Sequence, residues 1–113
     1  QDRIKDMIVS GGENIYSTEV EAALFAHPDI IDAAVIGVPN EKYGEVVKAC
    51  IVKKEGSNLT EEDVINFCKD RIASYKKPQS IDFIDEVPRN ASGKVLKKVL
   101  REPYWKDQDR QVS

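Results

Sequence analysis

The chain has 113 residues, a net charge of −3, 41% hydrophobic and 33% charged residues. This length suits one domain with its own core, and the composition is globular rather than disordered. The negative charge argues against a general nucleic-acid binder, which would be clearly basic. No apolar run approaches the roughly 18 residues that span a bilayer, and no leader-like segment opens the chain. We therefore expect a cytoplasmic protein without a transmembrane segment.

The two cysteines, Cys50 and Cys68, lie far apart, with neither a CxxC pair nor companion histidines. This spacing predicts no metal site. Both cysteines fall within apolar patterns, which predicts that they are small core residues of a protein in a reducing compartment.

Residues 7–16 contain two short apolar runs separated by Gly11 and Gly12. This arrangement predicts a β-hairpin, because the two glycines supply the positive φ that a tight turn requires. The glycines also leave a stretch of backbone without side chains, which another molecule can approach closely.

A helix is predicted after the hairpin, capped by Ser17 or Thr18, and Glu21 lies three residues beyond Thr18 as in a capping box. Pro28 should end this helix near His27, because the residue before a proline disfavours the helical conformation. His27 is the only histidine. We interpret it as a helix-end or turn residue rather than a catalytic base, since no carboxylate or nucleophile adjoins it in sequence.

A second helix is predicted from the capping-box pattern of Thr60 and Asp63, and residues 76–78 (KKP) should end it. Lys76 and Lys77 have two open interpretations, solvated charges at the helix end or contacts to CoA phosphates. The helical spacing predicts one buried stripe. Its members are Val64, Phe67, Cys68, Ile72 and Tyr75.

Three segments have the composition of strands. Residues 30–38 and 46–52 are rich in β-branched and small residues and predict two adjacent antiparallel strands, and residues 81–84 predict a third. The fold expected is α+β, a small mixed sheet of about three strands packed by helices, plus the N-terminal β-hairpin.

Residues 94–103 predict the last helix, closed by Pro103, and residues 104–113 predict a polar tail with poor order. The domain is thus expected to span residues 1–103. Lys97, Lys98 and Arg101 are interpreted as a solvated basic face of this helix. Lys94 at the helix start is a cation at the positive end of the dipole, which costs roughly 0.3 to 1 kcal/mol.

The segment before this helix, residues 88–94 (PRNASGK), invites a comparison with phosphate-binding loops. The pattern GxxxxGK[ST] requires glycine where this chain has Pro88 and serine or threonine where it has Val95. The Walker interpretation therefore fails at two positions.

Several motifs in the same order carry a resemblance to a known family, and together they cover nearly the whole chain. They are residues 2–16 (DRIKDMIVSGGENIY), 33–39 (AAVIGVP), 43–45 (YGE), 75–78 (YKKP) and 88–94 (PRNASGK). The chain resembles the C-terminal domain of the adenylate-forming enzymes, which include acyl-CoA synthetases, peptide-synthetase adenylation domains and luciferases. The wording of residues 2–16 is most similar to the branch of fatty and aromatic acyl-CoA synthetases.

This resemblance implies roles for individual residues. Lys94 would be catalytic, contacting the carboxylate and α-phosphate oxygens during adenylation. Arg3 would approach the ribose and phosphate of the adenylate, and Lys5 would occupy the hinge between two domains. The loop that meets the acyl-adenylate and lines the pantetheine channel would be Ser10, Gly11, Gly12 and Glu13.

The resemblance also implies partners. These are a large N-terminal domain of the same enzyme, a carboxylic acid, ATP with Mg²⁺, and CoA, while the isolated domain should be inactive and bind no cofactor tightly. Two alternatives remain at this point. One is a related adenylation enzyme that loads a carrier protein, and the other is a stand-alone interaction module that docks a partner.

Overall fold

A computed structural model describes the backbone of residues 6–112 and the side chains of residues 6–106. Two sheets are present in this part of the chain: a β-hairpin, and a three-stranded sheet in the order β3-β4-β5. The elements are β1 (Met7–Ser10), β2 (Glu13–Tyr16), α1 (Ser17–Phe25), β3 (Ile30–Asn40), β4 (Gly44–Lys53), α2 (Glu61–Lys69), a 3₁₀ turn (Ser74–Lys76), β5 (Ser80–Phe83) and α3 (Lys97–Val112). The predicted α+β fold, with its hairpin and mixed sheet, is confirmed.

The hairpin forms where the glycines predict it. Ser10 pairs with Glu13 across a two-residue turn, and φ is +58° at Gly11 and +86° at Gly12. Positive φ at both central residues is the requirement of a type I′ turn, whose twist matches that of the strands. Ile8 and Ile15 face each other across the hairpin and are fully buried.

The three-stranded sheet is covered on both faces. β3 and β4 are antiparallel as predicted, and β5 is parallel to β4. One face packs against the hairpin, α1 and α2 through a core that includes Leu24, Val35 and Ile51. The other face packs against α3, where Cys50 lies near Leu100. Coverage of both faces explains why the two long strands show little polar alternation in sequence.

The capping box expected at the start of α1 does not form. The N-cap residue is Tyr16, and no side chain caps the helix. The Ser17 hydroxyl donates instead to Asp6 Oδ2 at 2.5 Å, and Glu21 Oε2 accepts from the Val35 N–H at 2.9 Å. Contacts with distant segments therefore replace the local cap.

The capping box of α2 is confirmed: Thr60 Oγ1 accepts from the Asp63 N–H, and Asp63 Oδ2 accepts from the Thr60 N–H, both at 3.1 Å. The helix is shorter than predicted, because it ends at Lys69 and a separate 3₁₀ turn follows. Tyr75 lies in that turn and is 49% exposed, so extending the buried stripe to this residue is wrong.

The last helix differs from expectation at both ends. It begins at Lys97 rather than Lys94, and it continues through Pro103 to Val112. A proline inside a helix costs about 3 kcal/mol. Beyond Pro103, the Tyr104 hydroxyl donates to Asp82 and Trp105 Nε1 donates to a carbonyl of β3. These contacts hold the helix to the sheet, so a helix end at Pro103 is wrong, while the division at residue 103 into domain and tail stays a prediction.

Candidate functional site

The segment that carries Lys94 is an ordered turn. Gly93 has φ +90°, and its N–H donates to the Asn90 carbonyl at 3.0 Å. The Asn90 side-chain oxygen accepts from the Lys94 N–H at 2.9 Å and from the Ser92 N–H at 3.0 Å. Lys94 itself is exposed to solvent. The turn therefore presents the lysine on a fixed backbone at the surface of the domain.

Arg89 attaches this turn to the main sheet. Its guanidinium donates from one nitrogen to both carboxylate oxygens of Asp32 in β3, at 2.9 Å each, and from another to the Gly93 carbonyl at 3.0 Å. Arg89 also forms an isolated antiparallel bridge with Val95. The rigid strand β3 thus supports the Lys94 turn through one side chain.

Lys94 does not lie in a helix, because α3 begins three residues later. The predicted conflict between its charge and the helix dipole is therefore wrong. A small cavity of about 190 Å³ adjoins the lysine. Its lining residues are Asp6, Lys94, Val95, Lys97 and Arg101.

Lys97 is not part of a solvated face, so the interpretation of this residue is wrong. Its side chain is only 13% exposed, and its ammonium group forms ion pairs with Asp6 and with Glu21, the latter at 2.7 Å. It also donates to Ser17 Oγ at 2.9 Å. Burial raises the pKa of Asp6, but hydrogen bonds from Lys97 and Ser17 outweigh burial and leave that pKa lowered.

This cluster joins the segment before β1, helix α1 and the first residue of α3. Lys97→Met should lower the free energy of unfolding of the domain by about 2 kcal/mol, because it leaves two neighbouring carboxylates without their cation. Urea denaturation of this variant and of Lys98→Met, which alters an exposed lysine of the same helix, measures the effect. Equal changes in the two variants would show that the cluster contributes nothing to stability.

The turn at Gly11 and Gly12 lies against the loop between β3 and β4. The Gly11 N–H donates to the Tyr43 carbonyl at 2.9 Å. A Cβ on Gly11 would lie 2.9 Å from Cδ1 of the Tyr43 ring, whereas a Cβ on Gly12 would meet nothing within 4 Å. Gly11, Gly12 and Glu13 are exposed and Ser10 is partly buried. The exposed backbone of this turn is open on the side of Gly12.

Glu45 fixes the hairpin to the main sheet, a role that the sequence leaves undefined. The residue is 9% exposed, and its carboxylate Oε1 accepts from the Val9 N–H at 2.9 Å. A Cβ on Gly37 would lie 2.5 Å from Glu45 Oε2, so any side chain at this position in β3 would require the Glu45 carboxylate to move. Glu45 therefore links β1 and β4, and it sets the position of the glycine turn.

The Lys94 turn and the glycine turn lie at different ends of the sheet. The first is attached through Asp32, near the start of β3, and the second through Tyr43, beyond the Asn40 end. At about 3.3 Å per residue, Asp32 and Asn40 are roughly 26 Å apart along this strand. Arg3 and Lys5, the other two predicted site residues, lie outside the described residues.

Lys76, Lys77 and His27 make contacts within the domain. Lys76 forms an ion pair with Glu19 at 2.8 Å, and Lys77 Nζ donates to the Ser74 carbonyl at 3.2 Å. His27 Nδ1 accepts from the Asp29 N–H at 3.0 Å, which confirms the prediction that His27 is a turn residue.

Burial is the main reason that the pKa values of the Cys50 and Cys68 thiols rise to about 11.

Among residues 6–106, no group of three or more His, Cys, Asp or Glu side chains is placed to hold a metal ion. No helix in the described part of the chain has the length and apolar character needed to cross a membrane.

Comparison with known proteins identifies the family. The profile of the AMP-binding enzyme C-terminal domain matches residues 19–94, more than half of the chain. The chain belongs to this family, the C-terminal domain of AMP-binding enzymes.

Individual relatives agree with this assignment. A substituted propanoyl:CoA ligase of Rhodococcus jostii is 54% identical over 101 residues, which are 89% of this chain and 20% of that protein. The fatty acid–acyl-carrier-protein ligase ScoC of Streptomyces coeruleorubidus is 43% identical over 100% of this chain and 22% of its own length. The ATP-bound crystal structure of MatB from Rhodopseudomonas palustris superposes with a TM-score of 0.86 at 40% identity, covering 94% of this chain and 21% of that one. The chain thus spans about a fifth of the length of these proteins.

Proposed function

We propose that this domain is the mobile C-terminal part of an AMP-forming acid–CoA ligase and serves two successive half-reactions from two different ends. The observation that carries the proposal is the arrangement of the turns. An exposed lysine, Lys94, stands on an ordered turn at one end of the sheet, and an open glycine turn, Gly11–Gly12, stands at the other. The family membership supplies the reaction class.

In the first half-reaction, a carboxylate oxygen of the substrate attacks the α-phosphorus of ATP, and the bond to the β-phosphate oxygen breaks. The products are an acyl-adenylate and pyrophosphate. Lys94 contacts the carboxylate and α-phosphate oxygens and stabilises the negative charge that develops there. Arg3 approaches the ribose and phosphate of the adenylate.

In the second half-reaction, the domain turns about Lys5, the hinge, which removes Lys94 from the reaction centre. The turn formed by Ser10, Gly11, Gly12 and Glu13 then faces the acyl-adenylate. The thiol of CoA attacks the acyl carbon, AMP leaves, and the pantetheine arm passes along backbone that carries no side chain.

The remaining parts belong to a large N-terminal domain of the same enzyme, which holds the carboxylic acid, the phosphates of ATP and Mg²⁺. The reaction takes place in the cytoplasm, where Cys50 and Cys68 remain thiols. The 113-residue domain alone is inactive and binds no cofactor tightly.

A carrier protein is a second candidate acceptor. The observation that favours it is the match to ScoC, a fatty acid–acyl-carrier-protein ligase, which covers all 113 residues of this chain. The test is to supply the full-length enzyme with ATP, a carboxylic acid series and either CoA or a phosphopantetheinylated carrier protein. We expect acyl-CoA and AMP, with no product from the 113-residue domain alone. Transfer only to the carrier protein would reassign the acceptor, and ligation by the isolated domain would refute the division between domains.

A further inference from the structure

The Asn90 side chain organises the turn that presents Lys94. Its amide oxygen accepts three hydrogen bonds: from the Ser92 hydroxyl at 2.8 Å, the Lys94 N–H at 2.9 Å and the Ser92 N–H at 3.0 Å. The Asn90 N–H donates in turn to the Lys94 carbonyl at 2.9 Å. Both backbone polar groups of Lys94 are thus bonded to the same residue.

These bonds act together with Arg89, whose guanidinium donates to the Gly93 carbonyl at 3.0 Å, to fix the turn. Residues 91–94 are exposed, so no core packing orders them. Gly93 adds conformational freedom to the unordered state, and fixing the backbone of each residue costs roughly 1–2 kcal/mol. If the turn were unordered, its backbone would lose this conformational entropy each time Lys94 bound ATP. In a hydrogen-bonded turn the entropy is already lost when the domain folds.

Asn90 also connects the lysine to the rigid part of the domain. The residue before it, Arg89, bonds both carboxylate oxygens of Asp32 in β3 at 2.9 Å. The backbone path from the sheet to Lys94 is therefore short. Asn90 lies on this path, next to Arg89, and bonds both backbone polar groups of Lys94.

We propose that Asn90 is a positioning residue for the adenylation half-reaction, because its amide oxygen holds the backbone of Lys94 in the orientation that the reaction requires. This inference rests on the proposed role of Lys94. Asn90 itself contacts no reacting atom, and the function depends on its acceptor oxygen rather than on its NH₂ group. Aspartate, which places an acceptor oxygen at the same distance from the backbone, should replace it.

The experiment compares Asn90→Ala, Asn90→Asp and the control Asn66→Ala, an exposed asparagine of α2, in the full-length enzyme. We expect Asn90→Ala to lower kcat for acyl-adenylate formation by about 10-fold to 100-fold, the scale of a misplacement near 1 Å, with KM for ATP and acid changed less than about twofold. Thioester formation from supplied acyl-adenylate should not change. Asn90→Asp should recover most of the lost kcat, and Asn66→Ala should match the parent enzyme.

Three results would overturn the inference. They are unchanged adenylation in Asn90→Ala, equal loss of both half-reactions in that variant, and a failure of Asn90→Asp to recover activity. Lys94→Ala is measured in the same series to separate this inference from the proposed function. If Lys94→Ala adenylates at the parent rate, the role of Lys94 is wrong; if it loses adenylation while Asn90→Ala does not, only the role of Asn90 is wrong.

Discussion

Lys94→Ala in the full-length enzyme should lower the rate of acyl-adenylate formation by about 10²-fold to 10³-fold, the usual effect of removing one group that stabilises transition-state charge. The lysine is exposed and its turn is held by Asn90 and Arg89, so the truncation should leave the fold intact. Thioester formation from supplied acyl-adenylate should continue at the parent rate. Rapid-quench measurement of pyrophosphate release and of acyl-CoA formation gives the two rates separately.

The control for this variant is Lys98→Ala, which removes an exposed lysine from α3 without touching the turn. It should retain both half-reactions. If Lys94→Ala slowed thioester formation as much as adenylation, the lysine would not belong to one half-reaction only, and the two-ended account would be wrong.

Gly12→Asn should produce the opposite pattern. Asparagine tolerates positive φ better than other side chains, and a Cβ at Gly12 meets nothing within 4 Å in the domain. The hairpin should therefore form, but the new side chain would occupy the space that the pantetheine arm needs. We expect thioester formation to fall about 10-fold to 100-fold, with adenylation retained.

Gly56→Asn is the matched control for this substitution. Gly56 also has positive φ, +83°, and open space at the position of Cβ, but it lies in the turn between β4 and α2. Any general cost of asparagine at a positive-φ glycine should appear in both variants. A loss of thioester formation in Gly12→Asn alone locates the effect at the glycine turn.

Local signals in the sequence predicted the parts of the fold that depend on local chemistry. Gly11–Gly12 specifies the hairpin turn through its positive φ, and Thr60 with Asp63 specifies the start of α2 through their mutual hydrogen bonds. The order of the motifs also indicates the family, while the role of Lys94 stays a prediction. These predictions needed no knowledge of which distant segments meet.

The predictions that failed depend on distant contacts. In the sequence, Lys97 resembles the neighbouring surface lysines. Its ion pairs with Asp6 and Glu21 form only because folding brings these distant residues together. The continuation of α3 through Pro103 depends on Asp82, which lies on a strand distant in sequence. The spacing of apolar residues does not distinguish the end of a turn from the start of a helix, so it predicts a helix from Lys94 where α3 begins at Lys97.

The most direct test of the account measures the acyl-adenylate itself during turnover with ATP, acid and CoA all present. Gly12→Asn should accumulate enzyme-bound acyl-adenylate, because its formation continues while its consumption is slowed. Lys94→Ala should show almost none, because formation is slowed and consumption continues. Similar intermediate levels in the two variants would contradict the claim that the two ends of this domain serve different half-reactions.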